Sequence, residues 1–114
     1  MKYKKRTNLN EPSIYILLAL MSESLSGYDI VRRVIQLTEG RLEIKTGIMY
    51  PTLSSLDNLG YIKQVEEQTI GRSKKIYDIT EQGKTAIENE VARLEMMLAE
   101  MKSTMLGGTK DEKD

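Results

Sequence analysis

Apolar positions recur at helical spacing in three successive stretches, turn strand-like in a fourth, and settle into a heptad rhythm near the end. Ile14, Leu17, Leu18 and Met21 stand at i, i+3, i+4 and i+7, with Tyr15 and Leu20 widening the stripe. This predicts a helix starting near Pro12, a residue suited to the first helical turn, with Asn10 or Glu11 before it. The polar run 22–27 reads as a turn that ends in Ser26, an N-cap, and Asp29 takes the acidic place of a capping box. In the helix that follows, Ile30, Val34 and Leu37 share one face, with Val31 and Ile35 beside it. Gly40 is placed to take the left-handed position that ends it. Arg41 to Ile44 alternates polar and apolar, which predicts a short strand.

Thr46 is the expected cap of a third helix running to about Leu59, with Met49, Leu53, Leu56 and Gly60 toward the core. Pro51 lies early in it, with the small Gly47 four residues back to ease the ring. Tyr61 to Glu67 and Lys75 to Ile79 predict the two strands of a hairpin, joined by the polar, cationic loop 68–74. Thr80 and Glu81 open the last helix. Its apolar residues Ile87, Val91, Leu94, Leu98, Met101 and Met105 step by 4, 3, 4, 3 and 4, a heptad seam averaging about 3.5 residues. Residues 81–106 as one helix would be roughly 39 Å long. A small domain does not cover such a seam alone, so a second copy is the expected partner.

Composition narrows the chemistry. The chain has 114 residues, 39% of them hydrophobic, which fits one domain with a modest core. We divide it into a flexible basic arm (1–11), a folded unit (12–80), a dimerisation helix (81–106) and a disordered charged tail (107–114). Cysteine and histidine are both absent, which removes the most reactive nucleophile, the commonest general base and the commonest metal ligand. With no glycine-rich phosphate loop and no carboxylate cluster at metal-ligand spacing, neither an enzyme nor a bound metal or cofactor is expected. No apolar stretch approaches the roughly 18 residues of a membrane span, and no apolar core follows the basic start. The expectation is a cytoplasmic protein.

Formal net charge is zero, but it is unevenly placed: residues 1–80 carry 12 Lys and Arg against 9 Asp and Glu, and residues 81–114 carry 5 against 8. The basic excess coincides with a suggestive order of elements. Three helices followed by a hairpin with a basic tip make a winged helix-turn-helix, a mainly α fold with a small β-hairpin (α+β), whose third helix enters the DNA major groove. The outward arc of that helix is Gly47, Pro51, Ser54, Ser55 and Asn58, flanked by Ile48 and Tyr50. It is small, polar and free of acids, so base edges and phosphates can come close. Lys45 and Thr46 at the helix entrance and Arg72, Lys74 and Lys75 on the wing would meet phosphates, with Lys4, Lys5 and Arg6 of the arm adding to them. Taken singly, such an arc or basic loop is also what a solvated surface looks like; their order in one chain is what favours DNA. A winged-helix dimer that binds another protein is the competing reading, supported by the zero net charge, and a carboxylate enzyme is a distant third. Met96, Met97 and Met101 suggest an adaptable pocket for a small hydrophobic effector, against the plainer reading of ordinary dimer core.

The segments Ser26-Gly27-Tyr28-Asp29-Ile30, Gly47-Ile48-Met49-Tyr50-Pro51-Thr52-Leu53, Leu56 to Ile62 and Lys75 to Gly83 together resemble the PadR family of transcriptional regulators. The single terminal helix is similar to the shorter branch of that family. The resemblance implies a homodimer that represses promoters and is released by a small molecule. It also implies operator contacts by Tyr50 and the third helix, and wing contacts by Arg72, Lys74 and Lys75. The last helix would then pair with its counterpart and with the first helix, through Ile14 and Leu18, of the other subunit. Some short members hold flat aromatic drugs between tryptophans at the dimer interface; this chain has no tryptophan, which puts that binding mode in doubt.

Overall fold

A computed structural model describes residues 9–69 and 71–107. In chain order the elements are α1 (Glu11–Ala19), α2 (Gly27–Leu37), α3 (Thr46–Asn58), β1 (Ile62–Thr69), β2 (Arg72–Ile79) and α4 (Glu81–Met105). This is the expected mainly α fold with one antiparallel hairpin. Residues 1–8 of the arm, Ile70 and residues 108–114 of the tail lie outside the described residues.

Local chemistry sets each boundary. Asn10 caps α1 by accepting from the Ser13 amide at 3.0 Å. The folded unit starts earlier than the arm reading allowed, because Leu9 is buried in the core and its amide donates to Glu90 of α4 at 2.9 Å. The buried stripe of α1 is Ser13, Ile16, Leu17 and Leu20, while Ile14 and Leu18 stay partly exposed and Met21 lies past the helix end. That set has the same i, i+3, i+4, i+7 spacing as the expected one, begun one residue earlier. A serine in its first place hides it from a purely apolar count. Because α1 packs against α2, α3 and α4 at once, most of its surface is covered.

Ser26 caps α2 as expected, accepting from the Asp29 amide and donating to the Asp29 carboxylate, both at 3.2 Å. Its far end departs from expectation. The left-handed residue directly after the C-cap is Glu39 (φ 52°), with Gly40 (φ 83°) following it. The Gly40 and Glu39 amides donate to the Ile35 and Gln36 carbonyls, a Schellman closure. Leu37 is exposed, since Thr38 holds the inward place instead: its hydroxyl donates to the Val34 carbonyl and accepts from the Leu42 amide. The expected strand 41–44 does not form. Leu42 and Ile44 do point inward, but the strand-like neighbour of β2 at this end of the sheet is Leu25, whose amide and carbonyl both pair with Tyr77.

In α3, Lys45 rather than Thr46 is the N-cap, and no side chain caps the helix. Met49, Leu53 and Leu56 are its buried face, and Gly60 (φ 82°) closes it, with the Tyr61 amide on the Leu56 carbonyl. The hairpin is longer and tighter than the expected strands. Thr69 faces Arg72, so positions 72 to 74 belong to β2 instead of a seven-residue loop. Thr80 caps α4, accepting from the Gly83 amide and donating to the Gly60 carbonyl, which ties the ends of α3 and the hairpin to the last helix. Gly83 lies so close to Tyr61 that a Cβ there would stand 2.2 Å from its carbonyl oxygen.

Among the described residues, only the first turns of α4 meet the other elements. Ile87 sits in the chain's own core, so the unpartnered part of the seam begins at Val91. From Val91 through Leu94, Leu98, Met101 and Met105 every seam residue is 43–80% exposed, on a helix that stretches the molecule to 71 Å. Leu106 and Gly107 (φ 73°) terminate that helix. Among the described residues no helix is long and apolar enough to cross a membrane.

Candidate nucleic-acid interface

The face formed by α3 and the hairpin gathers most of the residues read from sequence as DNA contacts. Met49, Leu53 and Leu56 face the core, so the residues between them turn outward. Lys45, Thr46, Gly47, Ile48, Tyr50, Pro51, Ser54, Ser55 and Asn58 are all exposed. Ile48 and Tyr50 are each half exposed, an unusual place for large apolar side chains. Pro51 carries no N–H, which leaves the Gly47 carbonyl without its intrahelical donor at this surface. Gly47 has open space around it, so packing within the chain does not demand a glycine there. A closely approaching partner would.

The hairpin corrects the picture of a cationic loop. Lys74 and Lys75 lie within β2, directly across from Glu67 and Glu66. The side chain of Arg72 falls outside the described residues. The wing cations therefore belong to a strand ladder of alternating sign, and Lys45 likewise has Glu43 at 3.9 Å. The Lys45–Glu43 pair is exposed and loose, worth little in water and easily exchanged for phosphate.

Three residues of this face escaped the sequence reading of contacts. Gly27 and Tyr28 open α2 beside Tyr50: the Tyr50 hydroxyl stands 3.1 Å from where a Gly27 Cβ would be. Tyr28 is the most exposed aromatic residue of the face, with the Arg32 guanidinium 5.8 Å from its ring centre. Tyr77, in β2, lies almost wholly buried under the same groove. Burial, with Tyr50 and Asp57 nearby, holds its phenol above the ordinary value. The clue for Gly27 was its place directly after a capping serine; Tyr77 was read only as part of a β-prone run.

The residues expected at a subunit interface lie elsewhere, on α1 and α4. Ile14 and Leu18 are partly exposed beside the first turns of α4, and Val91, Leu94, Leu98, Met101 and Met105 form the exposed seam. Met97, Met101 and Met105, with Glu100 and Thr104, line a shallow open groove on α4 alone; Met96 is exposed but outside it.

Comparison with known proteins agrees with this geometry. The model of the transcriptional regulator PadR-like family matches residues 7–89. The transcriptional regulator YqjI of Escherichia coli (strain K12) is 30% identical over 97 residues, 85% of this chain and 45% of that protein. The chain thus spans about half the length of the curated relatives it matches. Among solved structures, a PadR family transcription regulator from Clostridium difficile R20291 superposes with a TM-score of 0.65 at 25% identity, covering 87% of this chain and all of that one. Bacillus subtilis PadR in complex with operator DNA gives a TM-score of 0.63 at 28% identity, over 69% of this chain and 45% of that one. With the family pattern running from the first helix into the last, this chain belongs to the PadR-like family of transcriptional regulators.

Proposed function

We propose that this chain is a sequence-specific DNA-binding transcriptional regulator that acts in the cytoplasm as a homodimer and represses the promoters it occupies. The observation that carries the reading is the exposed arc of α3 formed by Gly47, Pro51, Ser54, Ser55 and Asn58, none of them acidic, set beside a wing bearing Lys74 and Lys75. Ser54, Ser55 and Asn58 are the base readers, Ile48 meets thymine methyls, and Lys45 and the wing cations neutralise phosphates. The solved Bacillus subtilis relative, whose structure contains operator DNA, supports the same use of the fold. Fold and family are those of transcriptional regulators, not of enzymes.

Dimerisation supplies the second reading head. Val91, Leu94, Leu98, Met101 and Met105 are about half exposed or more, so covering each is worth roughly 1 kcal/mol. Ten such side chains across a two-fold axis give roughly 10 kcal/mol, comparable to the roughly 4–15 kcal/mol cost of association. The seam alone is therefore marginal, and Ile14 and Leu18 of α1 are needed to complete the contact. A small hydrophobic effector that inserts among Met97 and Met101, with Met96 nearby, would change the spacing of the heads and release the DNA.

The test is a gel-shift against DNA upstream of the protein's own coding sequence, repeated at two salt concentrations and against unrelated DNA. Preferential retardation of the upstream fragment is expected. Equal or absent retardation at both salts would overturn the reading and favour a winged-helix protein-interaction module.

A further inference from the structure

The N-terminus of α2 is built into a groove shared with Tyr50 and the wing lysines, and the reading of α3 and the wing leaves that helix end unused. Ser26, Gly27 and Tyr28 form one wall, Tyr50 of α3 a second, and Lys74, Lys75 and Tyr77 of β2 a third, around a volume of about 360 Å³. As in any helix, the first amides of α2 have no carbonyl within the helix to reach. Asp29 donates its amide to the Ser26 hydroxyl, and Ile30 donates to the Ser26 carbonyl. The Gly27 and Tyr28 amides have no partner among the described residues.

A second observation is independent of the helix end. Tyr77 is only 6% exposed, and its amide and carbonyl are both committed to Leu25 at 2.8 and 3.1 Å. Its hydroxyl is the one polar atom left to it, lies with the side chain under the groove, and has no partner among the described residues. A buried donor without an acceptor costs about 1–3 kcal/mol. Such a group is retained where a ligand supplies the acceptor. The donors around the groove are amides, phenols and two ammonium groups. No acid lines the groove among the described residues; Asp57 of α3, the carboxylate near Tyr77, helps to hold its phenol protonated, as a donor must be.

We infer that this groove clamps a single backbone phosphate of duplex DNA, held between α2 and the wing by the Gly27 and Tyr28 amides, the Tyr50 and Tyr77 hydroxyls and Lys75. The inference rests on the DNA-binding reading above and adds to it a site on a different helix. The clamp fixes how deeply α3 enters the major groove, and it does so on any sequence. Gly27 is required because the phosphate must reach the amides past Tyr50, where a Cβ would already crowd the phenol.

Tyr77→Phe removes only the oxygen. With the full chain and a fluorescently labelled mixed-sequence duplex of about three helical turns, the substitution should weaken binding by about tenfold, the loss of a hydrogen bond to a charged group. Its urea midpoint should hold or rise, because the hydroxyl makes no bond in the free protein. Nitrogen-15 spectra of the unsubstituted protein should show the Gly27 and Tyr28 amide protons moving downfield as the same duplex is added. Binding unchanged within about twofold, with those amides unmoved, overturns the clamp while leaving the DNA-binding reading intact. A fall in the urea midpoint overturns it as well, since the hydroxyl would then be a structural bond. Failure of the unsubstituted protein to bind either this duplex or its own upstream DNA removes both.

Discussion

Two glycines in the first turns of their helices meet opposite surroundings, and the contrast makes a sharp test of the fold. A Cβ on Gly83 would stand 2.2 Å from the Tyr61 carbonyl oxygen and 2.8 Å from Ile79 Cγ1, whereas one on Gly47 would meet nothing within 4 Å. Ordinary carbon–oxygen contacts lie near 3.3 Å, so Gly83→Ala forces a shift of about 1 Å. The Tyr61 carbonyl cannot yield freely, because it accepts the Thr80 amide at 3.0 Å and thereby fixes the junction between the hairpin and α4. Overpacking costs about 1–3 kcal/mol and the weakened junction bond about 1 kcal/mol. The better helix propensity of alanine returns about 1 kcal/mol.

The net expectation for Gly83→Ala is a loss of about 1–3 kcal/mol, or about 5–15 °C in Tm for a domain of this size. Gly47→Ala should gain about 0.5–1 kcal/mol. Urea unfolding followed by circular dichroism at fixed protomer concentration measures both, the concentration being held because association feeds into stability. Should the two substitutions change stability alike, or Gly83→Ala fall within about 0.5 kcal/mol of the parent, the close packing of α4 on Tyr61 is wrong. Gly47→Ala carries a second readout. On the proposed interface the added methyl should weaken DNA binding even as it stabilises the fold.

The remaining expectations concern single side chains. Glu39→Gly should stabilise the protein by about 1 kcal/mol in urea, since Glu39 occupies a left-handed φ of 52° that glycine adopts without strain. Glu90→Ala should cost about 2 kcal/mol, because it strips the buried acceptor from the Leu9 amide and from Arg93, whose bonds to it are 2.9 and 2.7 Å. Leu98→Glu should leave the far-ultraviolet spectrum intact while shifting sedimentation toward a single chain, and an unchanged assembly would remove the α4 seam as the contact. The raised pKa of Tyr77 makes the folded state hold a proton that the unfolded chain releases near pH 10. Stability should thus fall as pH rises above about 10, and Tyr77→Phe should flatten that fall.

How far the residues alone revealed this molecule depends on what kind of contact each makes. The caps at Asn10, Ser26 and Thr80, the stop at Gly60 and the heptad seam of α4 are local or periodic, and all could be read from spacing. The buried face of α1 was misplaced by one residue because Ser13 sits in its first place and the helix has neighbours on several sides. Likewise, the alternation at 41–44 records that Leu42 and Ile44 point inward, but a strand also needs a partner, and Leu25 had taken it. Ile87 fits the seam by period yet belongs to the core, for no periodic count shows where a domain stops covering its own helix. The α3 arc was legible since the core face of one helix dictates its opposite face. Tyr77 and the α2 N-terminus were not, as their meeting depends on how β2 crosses two helices.

The charge pattern bears on how such a surface would bind a polyanion. Lys74 and Lys75 lie across from Glu67 and Glu66, Lys45 sits near Glu43, and Arg41 is shared by Glu11 and the Tyr15 hydroxyl. Each of these cations has a carboxylate-bearing residue nearby or at the facing position of the ladder, and formal net charge is zero. Binding driven mainly by counterion release would be weak here, since that term scales with the number of phosphates neutralised. Neutral donors carry no such penalty: an amide or phenol that meets a phosphate displaces only water. A protein built this way gives up affinity for DNA in general and keeps the part of the binding energy that requires a fixed geometry. The dependence of binding on salt should accordingly be shallow, with removal of both wing lysines lowering the slope by about 2 at most. A steeper loss would mean that cations outside this face, such as those of residues 1–8, dominate the contact.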